Sequence, residues 1–522
     1  FNTAVGYQAL TAQTGTSGEV SNTAVGHQAA TAMTIGKHNV AIGKSALATE
    51  TIGDTSTAVG YYALYSQLSD GDNEETGNTG IGYAAGYNNT TGTNNTMVGY
   101  NAGAGAGGNN NSSNTAVGKD ALQVVTTGGE NVIIGQASGN SITDGHQNTA
   151  IGTNCFNGTS TVGLATVIGF QAGAGALTAA ADGSVIIGAY AGDTITTGAG
   201  NALVGYHAGG ALVEGKENTV LGHLAFDAGE EDSRCVAIGY QALTQADVSN
   251  TGSVVTTANT AVGYAAGYST TTGKNNTMIG YAAYGSATGS RNIAIGVNVL
   301  SSADGAESDN MAIGENAMTN LNLDTALRNM AIGNYAGDAM GAFAHVDNIY
   351  IGMNAGGGTH SAITSRNVVV GKEAFSGTNA GAGANVAIGY AALSGNMTAA
   401  ADNNVAIGQN AGGSITTANE GTYVGADSGD AITTGVKNTT LGANTLGTAN
   451  EALNCVAIGY SAMQAVPASQ AIDGAVAIGY EALKGAAGTD TGANNTVAIG
   501  KSALTALTSG AYNLAVGYQA GC

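Results

Sequence analysis

The sequence contains very little of several residue types that globular chains ordinarily use. It has no Trp, one Pro, 6 Phe and four Cys in 522 residues. Four widely spaced cysteines do not form a disulfide framework, and a single proline excludes collagen-like and Pro-rich chains. Hydrophobic residues still make up 43% of the chain, which argues against disorder. The core is therefore expected to consist of small side chains, mainly Ala, Val and Ile.

Basic residues are also scarce. The chain has 13 Lys and Arg against 35 Asp and Glu, giving a net charge of −22. Nucleic-acid binding needs clustered Lys and Arg, so we expect no nucleic-acid partner. The sequence has no apolar run long enough to span a bilayer, so we expect no membrane insertion of this segment. The negative charge is expected to keep copies of the protein soluble and apart.

A repeated nine-residue motif dominates the chain. It occupies residues 2–10 and returns in altered form at residues 513–521. We count 29 copies, each centred on one Gly that follows Val, Ile or Leu; Asn stands four residues before this Gly in 21 copies and Ala three residues after it in 24. The central glycines are 17 residues apart in 14 of 28 intervals and never closer than 16. A fixed period of this size predicts stacked supersecondary units, that is, a solenoid.

Each copy predicts two short strands that meet at the central Gly. Thr3-Ala4-Val5 would form the first strand and Gln8-Ala9-Leu10 the second, with Gly6 at the bend. The Gly-, Thr-, Ser-, Asn- and Asp-rich segments between copies are typical of loops. Because all copies run in the same direction, the strands should stack in parallel. The sequence thus predicts an all-β parallel β-roll or β-solenoid over residues 1–522, with about 29 rungs of roughly 17–19 residues and a length of roughly 140 Å.

The alternation within the first strand predicts two apolar faces. Val40 and Ile42 share one side of the strand and Ala41 the other, as in strands that are covered on both faces. One face should fill the interior of the roll, and the small Ala face should pack closely against a second surface. We therefore expect self-association along the solenoid, most simply as a homotrimer. A monomeric three-sided β-helix that covers both faces itself is the alternative.

The repeat positions are assigned structural roles and not catalytic ones. The motif Asn is expected to form a ladder of side-chain amides through successive rungs. The Gly is expected to bend the backbone, and the apolar positions are expected to pack. These positions are represented by Asn2, Val5, Gly6, Ala9, Asn39, Ile42, Gly43, Ala46, Asn385, Ile388, Gly389 and Ala392.

A longer repeat is superimposed on the motif. Residues 178–182 match residues 398–402, and residues 235–240 match residues 455–460. Both pairs of segments are offset by 220 residues, so the region 178–240 is expected to be an internal duplicate of 398–460. Copying of blocks of rungs is consistent with a part whose length matters.

The residues that carry chemistry are scattered. The seven His are dispersed along the chain, and no two have metal-ligand spacing. The acidic segment Asp70–Glu75 offers oxygen ligands for calcium without the full spacing of a known calcium loop; a solvated loop is the simpler reading. We predict no catalytic, cofactor-binding or metal residues, and no enzyme.

The pattern Asn-x-Ala-[Val/Ile]-Gly-x-x-Ala, at 22–29, 39–46 and 385–392, resembles the head repeats of YadA-like trimeric autotransporter adhesins and the related repeats of phage tail fibres. The resemblance covers nearly the whole chain. It implies a left-handed parallel β-roll, three chains side by side, and a role in binding surfaces. The repeats of those heads are commonly shorter than the repeats here, and their loops contain less Gly. No ligand-binding residue transfers to this sequence, because the matching positions are scaffold.

The function expected from these features is that of a structural, adhesive fibre, either the head or shaft of a surface adhesin or a phage tail fibre. Its location would be extracellular, on a cell surface or a virion, and its partners further copies of itself and a surface receptor or glycan. Tyr follows the central Gly in 12 copies, and this stripe is read either as packing or as a receptor contact. Two alternatives stay open: a filament subunit that polymerises end to end, and a hexapeptide-type acyltransferase. Since the chain begins and ends within copies of the motif, we expect a mature product or part of a larger protein.

Overall fold

The computed structural model describes residues 1–522 except 15–18, 72–73, 158–160, 176, 179–180, 247–254, 286–287, 304, 324, 466–470, 486–492 and 508–509. Two sequence predictions fall partly outside the described residues, at residues 179–180 of the duplicated block and residues 72–73 of the acidic segment. The same holds for the insertion around 247–257, which lies in the longest interval between central glycines, Gly239 to Gly263. The described chain is all-β, with no α-helix assigned. It forms two compact units, Phe1–Ala258 and Asn259–Cys522. A single uninterrupted solenoid over residues 1–522 stays a prediction.

The first unit contains sixteen short strands. They are β1 Thr3–Val5, β2 Thr23–Val25, β3 Val40–Ile42, β4 Thr57–Val59, β5 Thr79–Ile81, β6 Thr96–Val98, β7 Thr115–Val117, β8 Val132–Ile134, β9 Thr149–Ile151, β10 Thr166–Ile168, β11 Val185–Ile187, β12 Ala202–Val204, β13 Thr219–Leu221, β14 Asp232–Ser233, β15 Val236–Ile238 and β16 Val255–Thr256.

The second unit contains twenty. They are β17 Thr260–Val262, β18 Thr277–Ile279, β19 Ile293–Ile295, β20 Met311–Ile313, β21 Met330–Ile332, β22 Ile349–Ile351, β23 His360–Ala362, β24 Val368–Val370, β25 Asn379–Ala380, β26 Val386–Ile388, β27 Met397–Thr398, β28 Val405–Ile407, β29 Thr422–Val424, β30 Thr439–Leu441, β31 Ala452–Leu453, β32 Val456–Ile458, β33 Ile472–Asp473, β34 Val476–Ile478, β35 Val497–Ile499 and β36 Leu514–Val516.

One three-residue strand of every rung belongs to the main sheet. Within each unit these strands pair in parallel and in register, so that Thr3, Ala4 and Val5 lie opposite Thr23 and its two successors. The same register holds from rung to rung, as between β20 and β21. Seven shorter strands pair among themselves in the connecting segments: β14 with β16, β23 with β25 and β27, and β31 with β33. The predicted all-β parallel solenoid is therefore confirmed, with 29 strands in the main sheet.

The central Gly is required by a close backbone approach. At Gly26 φ is 134°, and a Cβ there would lie 2.6 Å from the carbonyl oxygen of Gly43 in the next rung. L-residues rarely adopt this φ, and real Cβ atoms do not come this close to a carbonyl oxygen. The Gly column therefore lets the rungs stack without a gap at the bend.

The prediction that Gln8, Ala9 and Leu10 form a second strand is wrong. These residues form tight turns instead, and φ is 55° at Gln8 and 54° at Leu10. Left-handed residues alternating with right-handed ones cannot extend as a strand. The turns still bond between rungs, since the Leu10 N–H donates to the Ala29 carbonyl oxygen over 3.1 Å. The chain thus bends sharply after the Gly while its backbone polar groups remain paired.

The two faces of the main strand are reversed relative to expectation. The middle residue, such as Ala24 or Ala41, is buried inside the roll at 0–1% exposure. Its neighbours Val40 and Ile42 lie on the outside, and Ile42 is 38% exposed. The thin interior accepts the small side chain because the turn that follows places its own apolar residue, such as Leu47, in the same core.

Two interior positions within a rung have complementary sizes. Where the middle strand residue is Ala, as at Ala41, the residue six positions later is often large, as at Leu47. Where the middle residue is large, as at Tyr423, that later residue is often Gly, and a Cβ at Gly429 would overlap the tyrosine ring. The close packing of the interior thus pairs a small residue with a large one in many rungs, although Met278 and Tyr284 are both buried in one rung.

Candidate functional site

The outer face of the main sheet carries a regular column of partly or largely exposed aliphatic residues. The residue before the central Gly points outward in every rung and is always Val, Ile or Leu. Examples are Leu221, which is 49% exposed, and Leu441, which is 50% exposed. The residue two positions earlier, often Thr, Val or Ile, shares this face. A regular apolar surface of this kind marks an interaction site.

A column of side chains that follow the central Gly borders this face. Tyr83 and Tyr100 stack with ring centroids 4.8 Å apart, and Tyr264 and Tyr281 with centroids 5.1 Å apart. These rings are 44–53% exposed. Where Lys replaces Tyr, the ammonium group can cover the next ring, as Lys44 Nζ does 5.4 Å from the centroid of Tyr61. The predicted Tyr stripe thus exists as stacked runs at the surface.

The motif Asn column lies inside the roll. Asn39 Nδ2 donates to the Gly53 carbonyl oxygen over 2.8 Å, and its Oδ1 accepts from the Ser56 N–H over 2.8 Å. Asn385 makes the same two contacts, with Ala401 and Asn404. Each side chain thereby bonds buried backbone groups of its own rung's end and of the next rung. This geometry is structural and offers no group to a ligand.

The remaining repeat positions named from the sequence fall into three environments. Ala46 and Ala392 are fully buried, while Ala9 is partly buried in the first rung. Three of the glycines have φ between 128° and 133°. Val5, Ile42 and Ile388 lie on the outer face, and Asn2 is exposed in the first rung. The central glycines are Gly6, Gly43 and Gly389. The structure therefore distributes these residues along the solenoid and does not gather them at one point.

An alternating column of charges runs along the second unit, and the sequence interpretation missed it. Arg291 pairs with Asp309 over 2.6 Å, and Arg328 pairs with Asp347 over 2.7 Å. The hydrogen bond from each Arg lowers the pKa of its Asp partner. Because these pairs are exposed to solvent, they contribute little to stability. Each of these charged residues stands five residues before a central Gly. The pairs can therefore be found in the sequence once the rungs are aligned, and their attraction favours this alignment of the rungs.

Two of the seven His are brought together inside the second unit. His345 and His360 are 0% and 3% exposed, with ring centroids 5.1 Å apart. Both Nδ1 atoms lie within 3.0 Å of the Thr364 hydroxyl, and the two Nε2 atoms face the carbonyl oxygens of Met340 and Gly356. Burial lowers the pKa of His345 and lowers that of His360 to about 4. The sequence, in which the seven His are dispersed, did not predict this buried pair.

Three of the four thiols are enclosed. Cys155, Cys235 and Cys455 are buried and Cys522 is exposed, and none of the four forms a disulfide within the described part of the chain. Burial raises the pKa of Cys155, and it raises that of Cys455 to about 11. Since the thiolate is the nucleophile, burial lowers the reactivity of these two thiols.

The described residues contain no group of three or more His, Cys, Asp or Glu placed to hold a metal ion. The choice between a solvated loop and a calcium site at Asp70–Glu75 is untested, because residues 72–73 lie outside the described residues. No helix long and apolar enough to cross a bilayer occurs in the described part of the chain.

Neither a protein-family model nor a curated protein sequence matches this chain. The resemblance to YadA-like heads and tail-fibre repeats therefore stays a prediction that depends on the motif alone.

Proposed function

We propose that this chain is a structural, adhesive fibre whose copies associate side by side, most simply as a homotrimer, and that it binds a cell surface. The observation that supports this most directly is the outer face of the main sheet. Parallel sheets in proteins are covered on both faces. Here the interior of the roll covers one face, and the other keeps an aliphatic residue in each of 29 rungs although it faces outward.

The composition of this face favours a second copy of the chain as its cover. An outward Leu or Ile such as Leu221 repeats at the rung spacing, and an identical chain presents the same spacing. Side chains from parallel copies can then interdigitate over many rungs. The energy per rung would be small, but burial of apolar area is worth about 25 cal/mol per Å² and accumulates with length.

The interface can be tested by sizing the full chain with light scattering. The variant Leu221→Lys/Leu441→Lys places two charges on the outer face, and we expect it to shift the assembly from trimer toward monomer. The matched control is Leu164→Lys, at a residue that is 63% exposed but lies outside the main strands. A wild-type protein that sizes as a monomer would overturn the proposed assembly.

The adhesive role needs a separate measurement. Beads coated with the wild-type chain should attach to cells, and uncoated beads should not. Electron micrographs of the same protein should show separate fibres. Absence of attachment to every cell type tried would contradict adhesion, and end-to-end filaments without attachment would favour the filament-subunit alternative.

A further inference from the structure

Tyrosines are concentrated on three successive rungs of the first unit. The two rings Tyr65 and Tyr87 stack with centroids 5.2 Å apart and planes inclined by 6°. Tyr62 meets both of them edge-on, at 5.1 and 5.7 Å. The complete cluster is Tyr61, Tyr62, Tyr65, Tyr83, Tyr87 and Tyr100, which is 6 of the 22 tyrosines in the chain. Such a density of ring faces at a surface needs an explanation beyond the packing of the rung.

A cleft opens where this cluster is interrupted by small residues. Tyr65 and Tyr87 stand five residues after their central glycines, and in the next rung the same position is Ala104. Ala84 is similarly small where Tyr62 stands one rung before. Because Ala84 and Ala104 are small, they leave a cavity of about 490 Å³, which is lined by Tyr62, Tyr83 and Tyr87. Its volume falls within the range of small-molecule sites, roughly 300–1,000 Å³.

Amide groups line the opposite side of the cleft. Asn101 and Gln123 both contribute to its lining. Asn101 Nδ2 donates to Asp120 Oδ1 over 3.1 Å, and this bond orients the amide. Among the described residues, no hydrogen bond occupies Asn101 Oδ1 or the Gln123 side chain. The cleft thus combines aromatic faces with amide groups that are available to a ligand, and its lining contains no charged side chain.

We propose that this cleft binds a neutral oligosaccharide. A pyranose ring has an apolar C–H face that suits a tyrosine ring, and its edge carries hydroxyl groups that both donate to and accept from amides. The absence of charge in the lining disfavours phosphorylated or acidic ligands. The proposal depends on the adhesive function proposed above and specifies the chemistry of the surface that is bound.

An extended peptide is a poorer fit at this place. Peptides commonly add as a strand to an open sheet edge. Here β5 pairs with both β4 and β6, and β6 pairs with both β5 and β7, so no edge is free beside the cleft. A peptide would have to bind through side chains alone.

The proposal can be tested with the full chain and three probes: maltotriose, cellotriose and triacetylchitotriose. Titration calorimetry should detect binding of at least one of them. Tyr87→Ala should weaken that binding by about tenfold or more, and Ala104→Tyr should abolish it by filling the gap. Ala104→Tyr places tyrosine where Tyr65 and Tyr87 stand in neighbouring rungs, so the rung is expected to fold. Tyr264→Ala removes a stacked ring in the second unit and should leave the affinity unchanged.

The outcomes separate this proposal from the fibre function. The cleft would be overturned as a glycan site if no trisaccharide bound, or if trisaccharide binding survived Ala104→Tyr. It would also be overturned if an aromatic peptide, and none of the trisaccharides, occupied the cleft. If trisaccharides failed to bind while the wild-type chain still attached to cells, the cleft proposal would fail and adhesion would stand. If trisaccharides bound but the wild-type chain neither associated nor attached, the fibre function would fail and the site would stand.

Discussion

Asn148 donates its side-chain N–H to Asn131 Oδ1 over 3.0 Å, and the backbone N–H of Asn148 donates to the same oxygen over 3.0 Å. One carbonyl oxygen thus accepts both hydrogens from the rung that follows. Asn148 in turn donates to the Val162 carbonyl oxygen over 2.8 Å and accepts from the Ala165 N–H over 3.0 Å. The ladder therefore joins buried backbone groups of successive rungs, which is its contribution to stability.

Replacement of Asn148 by Ala should loosen the rungs around it. It leaves the Ala165 N–H and the Val162 carbonyl without these partners, at a cost of about 2–4 kcal/mol in the free energy of unfolding. Because rungs contact only their neighbours, the effect should be local. Hydrogen exchange should accelerate at the Ala165 amide. The control is Gln147→Ala, which removes an exposed bond to Glu130 and should cost under about 0.5 kcal/mol. Unchanged exchange at Ala165 would contradict the ladder's role.

Replacement of a central glycine by alanine should be much more disruptive than replacement of a loop glycine. At Gly135 φ is 135°, and a Cβ would overlap the Gly152 carbonyl oxygen; the expected cost is at least about 3 kcal/mol. At Gly200 φ is 66° with no atom within 4 Å of a Cβ, so Gly200→Ala should cost about 1 kcal/mol. Thermal denaturation of the two variants compares them directly. Equal losses would show that close stacking at the central Gly is unimportant.

The size relation between Tyr423 and Gly429 can be tested by a double-mutant cycle. Gly429→Leu alone should destabilise by about 1–3 kcal/mol because of the overlap with the ring, and Tyr423→Ala alone by about 3–5 kcal/mol because of the cavity. The double variant recreates the pair seen at Ala41 and Leu47. Its loss in the free energy of unfolding should be smaller than the sum of the losses of the two single variants. Denaturant unfolding measures the coupling energy. Strict additivity would refute a shared space.

The buried His pair predicts acid sensitivity of the second unit. The pKa of His360 is about 4 in the folded chain and about 6.5 when unfolded, so the unfolded chain binds more protons between these values. The contribution of neutral His360 to the free energy of unfolding is fully present above about pH 6.5. It is lost as the pH falls toward about 4, and the loss amounts to roughly 3 kcal/mol for His360 alone. Hydrogen exchange of the full chain at a series of pH values should show this loss as faster exchange of amides in residues 259–522. Thermal denaturation of the full chain should show it as a lower melting temperature at acidic pH.

The control for acid sensitivity is a comparison of variants at each pH. His345→Gln/His360→Gln should remove most of the loss between about pH 6.5 and about pH 4.5, whereas His38→Gln, at an exposed residue, should not. Burial also raises the pKa of Asp338, which favours the folded chain as the pH falls and opposes the His effect. An identical pH profile for wild type and the double His variant would exclude the pair as the cause.

Sequence reasoning reached the solenoid because its signals are local and repeated. The β-branched residues before Gly26, the recurring spacing and the Asn at position 22 each predict a property that most rungs share. It did not reach the turn, since Gln8 and Leu10 are ordinary residues whose positive φ angles are imposed by bonds to the next rung. It also placed Ala41 on the wrong face, because alternation separates two faces without saying which one is enclosed.

The sequence by itself determined the period, the parallel register and the columns, because identical segments that stack in one direction must place equivalent residues above one another. Only the tertiary structure decided which column is inside, since this depends on the direction in which the chain turns after the Gly. It also decided the meeting of His345 with His360 and the Tyr62–Tyr87 cleft. These features depend on how segments outside the strict motif fold back beside each other, and the spacing of the repeat does not encode that arrangement.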